Sequence, residues 1–87
     1  MFFMAEDKLK AKILMWTEKL LALEKEYESI MEQRGEAAAM GDLRENAAYQ
    51  MLTEQGEVLS ARIGETKKII KDLGGDLEES KPDSQAV

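Results

Sequence analysis

The sequence AAAMGDLRENAAY, residues 37–49, decides the fold because it separates two long series of apolar residues. Within it, Gly41 can adopt the left-handed backbone conformation that ends a helix, and Asp42 can cap the start of the next helix. We therefore place a turn at residues 41 and 42. A link this short makes two consecutive helices antiparallel neighbours.

Apolar residues on both sides of this turn recur at alternating spacings of four and three residues, the spacing of a coiled-coil seam. The series before the turn comprises Leu9, Ile13, Trp16, Leu20, Leu23, Tyr27 and Ile30. The series after the turn comprises Tyr49, Leu52, Gly56, Leu59, Ile63, Thr66, Ile70 and Leu73. The predicted fold class is all-α: a long antiparallel two-helix coiled-coil hairpin, with helix one at about 5–40 and helix two at about 43–73.

Folding the chain at Gly41 brings the two series together rung by rung. Tyr27 then faces Gly56 and Trp16 faces Thr66, so the two largest seam residues of helix one meet small residues, as close packing requires. This pairing explains a glycine inside a helix, where it costs about 1 kcal/mol. The other predicted rungs are Ile30 with Leu52, Leu23 with Leu59, Leu20 with Ile63, Ile13 with Ile70, and Leu9 with Leu73.

The end of the hairpin domain is marked by Gly74 and Gly75, which are expected to terminate helix two. The domain therefore spans residues 1–75. Residues 76–87 contain Pro82 and few apolar side chains, so they are predicted to form a disordered tail.

Composition excludes several classes of function. The 87 residues include no cysteine and no histidine, which excludes disulfides, thiolate nucleophiles, imidazole bases and the usual zinc ligands. A two-helix hairpin has no concave pocket for a substrate, so the chain is not expected to be an enzyme by itself. The apolar start, Met1 to Met4, runs directly into charged residues and is neither a secretory signal nor a membrane span. We expect a cytoplasmic protein without a membrane partner.

The formal net charge of −6 is unevenly distributed along the chain. The segment 24–58 carries nine acids (Glu24, Glu26, Glu28, Glu32, Glu36, Asp42, Glu45, Glu54, Glu57) against three bases (Lys25, Arg34, Arg44), whereas the flanking stretches are slightly basic. Proteins that bind nucleic acid directly show the opposite excess. The acidic half is better suited to a basic or metal-containing cavity of another protein.

The only candidate site lies just after the turn. Asp42, Glu45, Asn46 and Tyr49 have the spacing i, i+3, i+4 and i+7, which predicts one stripe along the first two turns of helix two. Carboxylate oxygens are ligands that magnesium prefers. The same spacing also fits a capping box between Asp42 and Glu45, and Tyr49 also fits the seam. Spacing alone leaves the metal-facing and capping interpretations open and favours capping.

The run Gly41-Asp42-Leu43-Arg44-Glu45-Asn46-Ala47-Ala48-Tyr49 resembles the G-D-L-x-E-N-A-E-Y signature at the coiled-coil tip of the GreA and GreB transcript cleavage factors. The likeness in layout extends from Leu9 to about Leu73. It implies a bacterial transcription factor whose tip enters the secondary channel of RNA polymerase and stimulates cleavage of backtracked RNA by the polymerase's own active site.

The resemblance also implies roles for individual residues. Asp42 and Glu45 would be the metal-facing acids, sharing a catalytic magnesium with the polymerase, while Gly41, Leu43, Asn46 and Tyr49 would support the tip. Magnesium and the RNA 3′ end would be contacted only in the complex with RNA polymerase, and the free chain would need no cofactor.

Departures from the family pattern leave alternatives open. Ala38 and Thr53 stand where the family tends to carry basic residues, Ala48 replaces a usual Glu, and the family's C-terminal FKBP-like domain is absent from this sequence. A channel-binding inhibitor without cleavage activity, or a coiled-coil interaction module unrelated to polymerase, are the alternatives. Apolar residues off the seam, such as Met51 and Val58, also leave open a homodimer of the free chain.

Overall fold

The computed structural model describes residues 2–75, which form two long helices joined by a short connection. Helix α1 spans Phe2–Ala38, a 3-10 turn spans Leu43–Glu45, and helix α2 spans Ala47–Asp72. The two helices pack against each other, and residues 2–75 contain no strand. The all-α two-helix hairpin predicted from the sequence is confirmed.

The helix bounds differ from the sequence prediction mainly at the connection. Helix α1 ends at Ala38 instead of about residue 40, and α2 begins at Ala47 instead of about residue 43. The residues between them form turns and the 3-10 turn, so neither helix extends to Gly41. At its other end α1 begins at Phe2, and its 37 residues are the main reason that the molecule extends 61 Å along its longest axis.

Burial follows the predicted seam. Every seam position except Leu9 is buried or half-buried, and Leu20 and Ile70 are fully enclosed. Leu9 is 42% exposed because it lies where α2 has already ended, at the open base of the hairpin. Fully burying an aliphatic side chain is worth about 1.5–3 kcal/mol, so this seam is the main source of the fold's stability.

Gly56 allows the closest approach of the two helices. A Cβ atom added there would lie 3.8 Å from Cε1 of Tyr27 and would overlap the terminal methyl of Met31. The predicted pairing of Tyr27 with Gly56 is therefore confirmed. Thr66, the other small seam residue, is also buried, and its hydroxyl donates a 2.8 Å hydrogen bond to the carbonyl of Arg62.

Helix α2 ends in a Schellman motif, as the two glycines predict. The N–H of Gly74 donates to the carbonyl of Lys71 at 2.9 Å, and the N–H of Gly75 donates to the carbonyl of Ile70 at 2.8 Å. Gly74 has a φ of +94°, which a residue with a side chain rarely adopts. Gly75 lies against Ile13 of α1, so the end of α2 is packed on the first helix. The tail predicted for residues 76–87 lies outside the described residues.

Candidate functional site at the hairpin tip

The chain reverses direction between Ala38 and Asn46, and this segment is the tip of the hairpin. The last turn of α1 is closed by the N–H of Met40, which donates to the carbonyl of Ala37 at 3.1 Å. Gly41 follows with a φ of +152°, in the positive region that favours glycine. Gly41 therefore lies in the chain reversal and adopts a positive φ, but it does not end α1, which stops three residues earlier.

Asp42 begins the 3-10 turn and does not cap α2. Its Oδ1 accepts a 3.0 Å hydrogen bond from the N–H of Arg44, and its backbone carbonyl accepts one from the N–H of Glu45 at 3.2 Å. The prediction that Asp42 and Glu45 lie on the first turns of helix two is wrong, and so is the capping-box alternative. The physical reason is that Asp42 caps the short 3-10 turn, and the extended backbone of Asn46 interrupts the helical geometry before α2 begins.

Asn46 caps α2 and also holds the end of α1. Its Oδ1 accepts a 3.0 Å hydrogen bond from the N–H of Tyr49, the interaction expected of an N-cap residue. Its Nδ2 donates to the carbonyl of Ala37 at 2.6 Å, one of the carbonyls that have no partner within α1. One side chain therefore joins the two helix ends, with Ala37 buried between them.

The other side of the tip is braced by Tyr49 and Arg34. The Arg34 guanidinium lies over the Tyr49 ring at 5.4 Å from its centroid, within the range of a cation–π interaction. It also donates through Nη1 to Oγ1 of Thr53 at 3.5 Å, a long hydrogen bond. On the exposed side, the Gln50 side chain donates to the carbonyl of Arg44 at 3.1 Å. The first turn of α2 is thus tied both to α1 and to the 3-10 turn.

The two candidate acids project from this braced turn into solvent. Asp42 and Glu45 are both exposed, and together with Met40, Gly41, Asn46 and Ala47 they line a shallow concavity at the tip. Leu43, predicted as tip support, is 43% exposed, and neighbouring Met40 is 83% exposed. The contacts that hold the turn are made by Asn46 and Tyr49, and the supporting role of Leu43 stays a prediction.

Electrostatics at the tip favour a positively charged partner. The last turn of α1 carries Glu36 and no basic residue, so the partial negative charge of the helix C-terminus is not compensated there. Arg44 is the basic residue within the 3-10 turn, and Arg34 is engaged with Tyr49. Glu36, Asp42 and Glu45 therefore make the end of the hairpin acidic, and the other six acids of segment 24–58 lie along the two helices behind it.

The two carboxylates at the tip could bind a magnesium ion only together with ligands from another molecule. Asp42 and Glu45 offer the hard oxygen donors that magnesium prefers, and one Asp42 oxygen already accepts from Arg44. The described residues contain no group of three or more side chains that could hold a metal ion together. Two carboxylates of this kind could complete a coordination shell whose other ligands come from another molecule.

The sequence prediction did not include Arg34 and Ala37, which lie just before the tip and contact residues that hold it. Both continue the seam of α1 beyond Ile30 at the same spacing of four and three residues, a signal that was available in the sequence. The bond from Asn46 to Ala37 had no such signal, because it depends on how the two helix ends meet.

Comparison with known proteins identifies one family. A family model described as the N-terminal domain of the GreA/GreB transcription elongation factors matches residues 9–73, well over half of the chain. No individual curated protein and no solved structure matches the chain significantly. The matched range begins and ends with the first and last residues of the two seams, and it includes the whole tip.

Proposed function

Because the chain belongs to the GreA/GreB family of transcription elongation factors through their N-terminal domain, we propose that its tip enters the secondary channel of bacterial RNA polymerase and stimulates cleavage of backtracked RNA. The protein is then a factor that acts on the polymerase, and the bond-breaking chemistry belongs to the polymerase active site. Interaction with RNA polymerase is what membership of this family implies.

The observation that carries this proposal is the exposure of two carboxylates on a braced turn. Asp42 and Glu45 face solvent at the end of a 61 Å molecule, while Asn46 ties the surrounding backbone to both helices. Oriented groups accelerate a reaction most when they need no rearrangement as charge develops. A turn held by hydrogen bonds satisfies that requirement better than a flexible loop.

In the proposed mechanism this chain contributes ligands and orientation. Asp42 and Glu45 would present carboxylate oxygens to the polymerase active site and, in the complex, would hold a magnesium ion together with ligands from the polymerase. Such an ion would supply a coordinated water of lowered pKa and stabilise charge on a phosphoryl group. Asn46 and Tyr49 fix the direction of the turn, and the Asx turn of Asp42 fixes one of its oxygens so that the other remains free.

Transcript cleavage in backtracked elongation complexes tests the proposal. We compare the native chain with the double variant Asp42→Asn, Glu45→Gln, and expect the variant to lose about 100-fold in cleavage rate, the size typical for removing an oriented catalytic group. The substitution Asp42→Asn retains an oxygen acceptor for the N–H of Arg44, so the turn should be preserved. The matched control is Glu28→Gln, Glu57→Gln, which removes two exposed acids away from the tip and should cleave at the native rate when the factor is saturating.

A second candidate function is favoured by a specific feature of the tip. Ala38 and Thr53 stand where the family tends to carry basic residues, and both are half-buried. Thr53 instead accepts a hydrogen bond from Arg34. A hairpin without basic groups at these positions could occupy the channel and slow nucleotide addition without promoting cleavage.

The same assay separates these candidates. If the native chain and the double variant both slow elongation and neither shortens the RNA, the inhibitor is the correct function. If neither has any effect on the polymerase, the chain is an interaction module for another partner, and Asp42 serves only to form its turn. Native cleavage that the double variant retains would contradict the roles proposed for Asp42 and Glu45.

A further inference from the structure

One side of the hairpin carries exposed apolar residues along most of its length. On α1, Met15, Lys19, Ala22 and Glu26 follow the spacing of four, three and four residues and form one stripe. On α2, Met51, Gln55, Val58, Arg62, Glu65 and Ile69 form a second stripe by the same rule. We name these two stripes together the Met51 face.

The two stripes lie on the same side of the molecule. Glu26 of α1 lines a single groove with Met51, Val58 and Arg62 of α2. Met15, Met51 and Val58 are 51%, 55% and 54% exposed, although apolar side chains of this size are usually enclosed. The hairpin seam does not account for them, because they flank it from outside.

Charge on the Met51 face changes sign from one end to the other. Glu26 lies about one turn toward the tip from the middle of the face, and Lys19 and Arg62 lie about one turn toward the base. Lys19 and Arg62 flank the seam from opposite helices at the same level, so two cations stand side by side. The one acid on the basal half of the face, Glu65, lies about one turn beyond Arg62 toward the base. The face is therefore complementary to a copy of itself turned end over end.

We propose that the free chain forms an antiparallel homodimer through the Met51 face. A two-fold axis beside Ala22 and Val58 places Glu26 of each copy against Lys19 and Arg62 of the other, and Met51 of each copy against Met15 and Glu65 of the other. In a parallel dimer the two-fold axis runs along the hairpin and places α1 of one copy over α2 of the other, so Lys19 would meet Arg62, and like charges in contact are unfavourable.

The size of the face is sufficient for a stable dimer. Helix α2 has 26 residues, so the two helices overlap over about 39 Å, and each helix is about 10 Å wide, which gives roughly 780 Å² per copy. Standard protein interfaces bury about 800 Å² per partner. The product is a four-helix bundle, an arrangement in which long amphipathic helices commonly bury their remaining apolar side.

The opposite side of the hairpin does not offer the same match. Its exposed apolar residues, Leu14 and Leu21, both lie in the basal half of α1. They lie on one helix only, whereas the Met51 face carries exposed apolar residues on both helices. The Met51 face is therefore the side that we assign to the dimer.

This dimer does not depend on the proposed activity. It would, however, about double the thinnest dimension of the molecule, which is 14 Å in the single hairpin. Each acidic tip half would also lie along the basal half of the other copy. Dissociation would then precede insertion of a tip into any narrow channel.

Sedimentation equilibrium over a wide range of protein concentration tests the interface. We expect the native chain to reach twice its 9.8 kDa monomer mass and to dissociate on dilution. Val58→Glu should remain a monomer over the same range, since it places a carboxylate at the centre of the face. Leu21→Glu is the matched control: Leu21 is 58% exposed on the opposite side, and its substitution should leave the dimer intact.

Circular dichroism shows whether each variant keeps the helical content of the native chain, and at these exposed positions it should. A native chain that stays monomeric at every concentration would overturn the proposal. So would a Leu21→Glu variant that dissociates while the Val58→Glu variant does not. The cleavage assay is independent of these results, so failure of one proposal is distinguishable from failure of the other.

A distance measurement tests the orientation of the two copies. The chain has no cysteine, so a single spin label can be attached after Met40→Cys, at a tip residue that is 83% exposed. In the antiparallel dimer the two labels should lie about 50 Å apart, given the 1.5 Å rise per residue. A short distance between labels would show parallel packing and reject the proposed arrangement.

Discussion

The Asn46 side chain makes two hydrogen bonds: its Oδ1 accepts from the N–H of Tyr49, and its Nδ2 donates to the carbonyl of Ala37. An aspartate has the same shape and is an equally good N-cap, but it has no N–H to donate to the carbonyl of Ala37. We expect Asn46→Asp to lower the free energy of unfolding by about 1–2 kcal/mol, because a part-buried carbonyl loses its side-chain donor and faces a carboxylate. Urea denaturation measures this change.

The control for this prediction is Asp42→Asn. That substitution retains the acceptor for the N–H of Arg44, so it should alter stability by less than about 0.5 kcal/mol. Equal stability of Asn46→Asp and the native chain would show that the contact with Ala37 contributes nothing. Asn46→Asp leaves Asp42 and Glu45 in place. Reduced cleavage by this variant would therefore show that cleavage depends on the orientation of the turn.

At the residue scale, the sequence predicts which side chains form the tip but not how they are bonded. Asp42 and Asn46 are both good N-cap residues, and each is followed three positions later by a plausible partner. Choosing between them requires knowing where the last carbonyls of α1 lie, which is a property of the folded hairpin. Membership of the family is consistent with either choice.

The glycines inside α2 allow a prediction at the scale of one element. Gly64 is exposed, and a Cβ added there meets no atom within 4 Å. Gly64→Ala should therefore raise the free energy of unfolding by about 0.5–1 kcal/mol, the difference in helix propensity and chain entropy. Thermal unfolding monitored by circular dichroism would record a higher midpoint.

Gly56 provides the contrast within the same helix. It is buried against Tyr27, Met31 and Ile30, so Gly56→Leu should lower the free energy of unfolding by about 1–3 kcal/mol through overpacking. In Gly56→Ala only the flexible end of Met31 has to move. We expect this variant to gain less free energy of unfolding than Gly64→Ala. A Gly56→Leu variant as stable as the native chain would mean that the helices are not in close contact there.

The register of the two helices could be predicted because two independent signals agree. The spacing of the seam places Gly56 opposite Tyr27 once the chain is folded at Gly41, and the sizes of the two residues are complementary. The start of α2 could not be predicted, because a 3-10 turn and the first turn of an α-helix both bring residues i and i+3 together. The pattern of Asp42 and Glu45 is compatible with both.

At the scale of the whole molecule, the distribution of charge opposes the stability of the fold. Glu24, Glu28, Glu32 and Glu36 follow one another at spacings of four residues, so they form a ladder of like charges on α1. Each such pair costs about 0.2–0.5 kcal/mol, and the ladder ends in the last turn of the helix, where a negative charge is also unfavourable. The ladder makes the tip half electronegative, which suits a basic partner.

This ladder makes a prediction with a defined sign. Glu28→Gln, Glu32→Gln removes every adjacent pair of the ladder and should raise the free energy of unfolding by about 0.5–1 kcal/mol at low salt. At 0.1 M, sodium chloride screens interactions between exposed charges beyond about 10 Å. It should therefore weaken the repulsion within the ladder and stabilise the native chain, and it should stabilise this variant less. Thermal unfolding at two salt concentrations measures both effects.

The control is Glu65→Gln, because Glu65 has Arg62 and Lys68 three residues away on either side. Its removal eliminates attractive pairs, so it should not stabilise the protein. If Glu28→Gln, Glu32→Gln were no more stable than Glu65→Gln, repulsion along α1 would be negligible.

If the ladder does cost stability, a variant without it should also bind the polymerase more weakly in low salt. Its tip acids should still support cleavage when the factor is saturating. The stability lost along α1 would then be offset by long-range attraction to the partner, separately from the chemistry at Asp42 and Glu45.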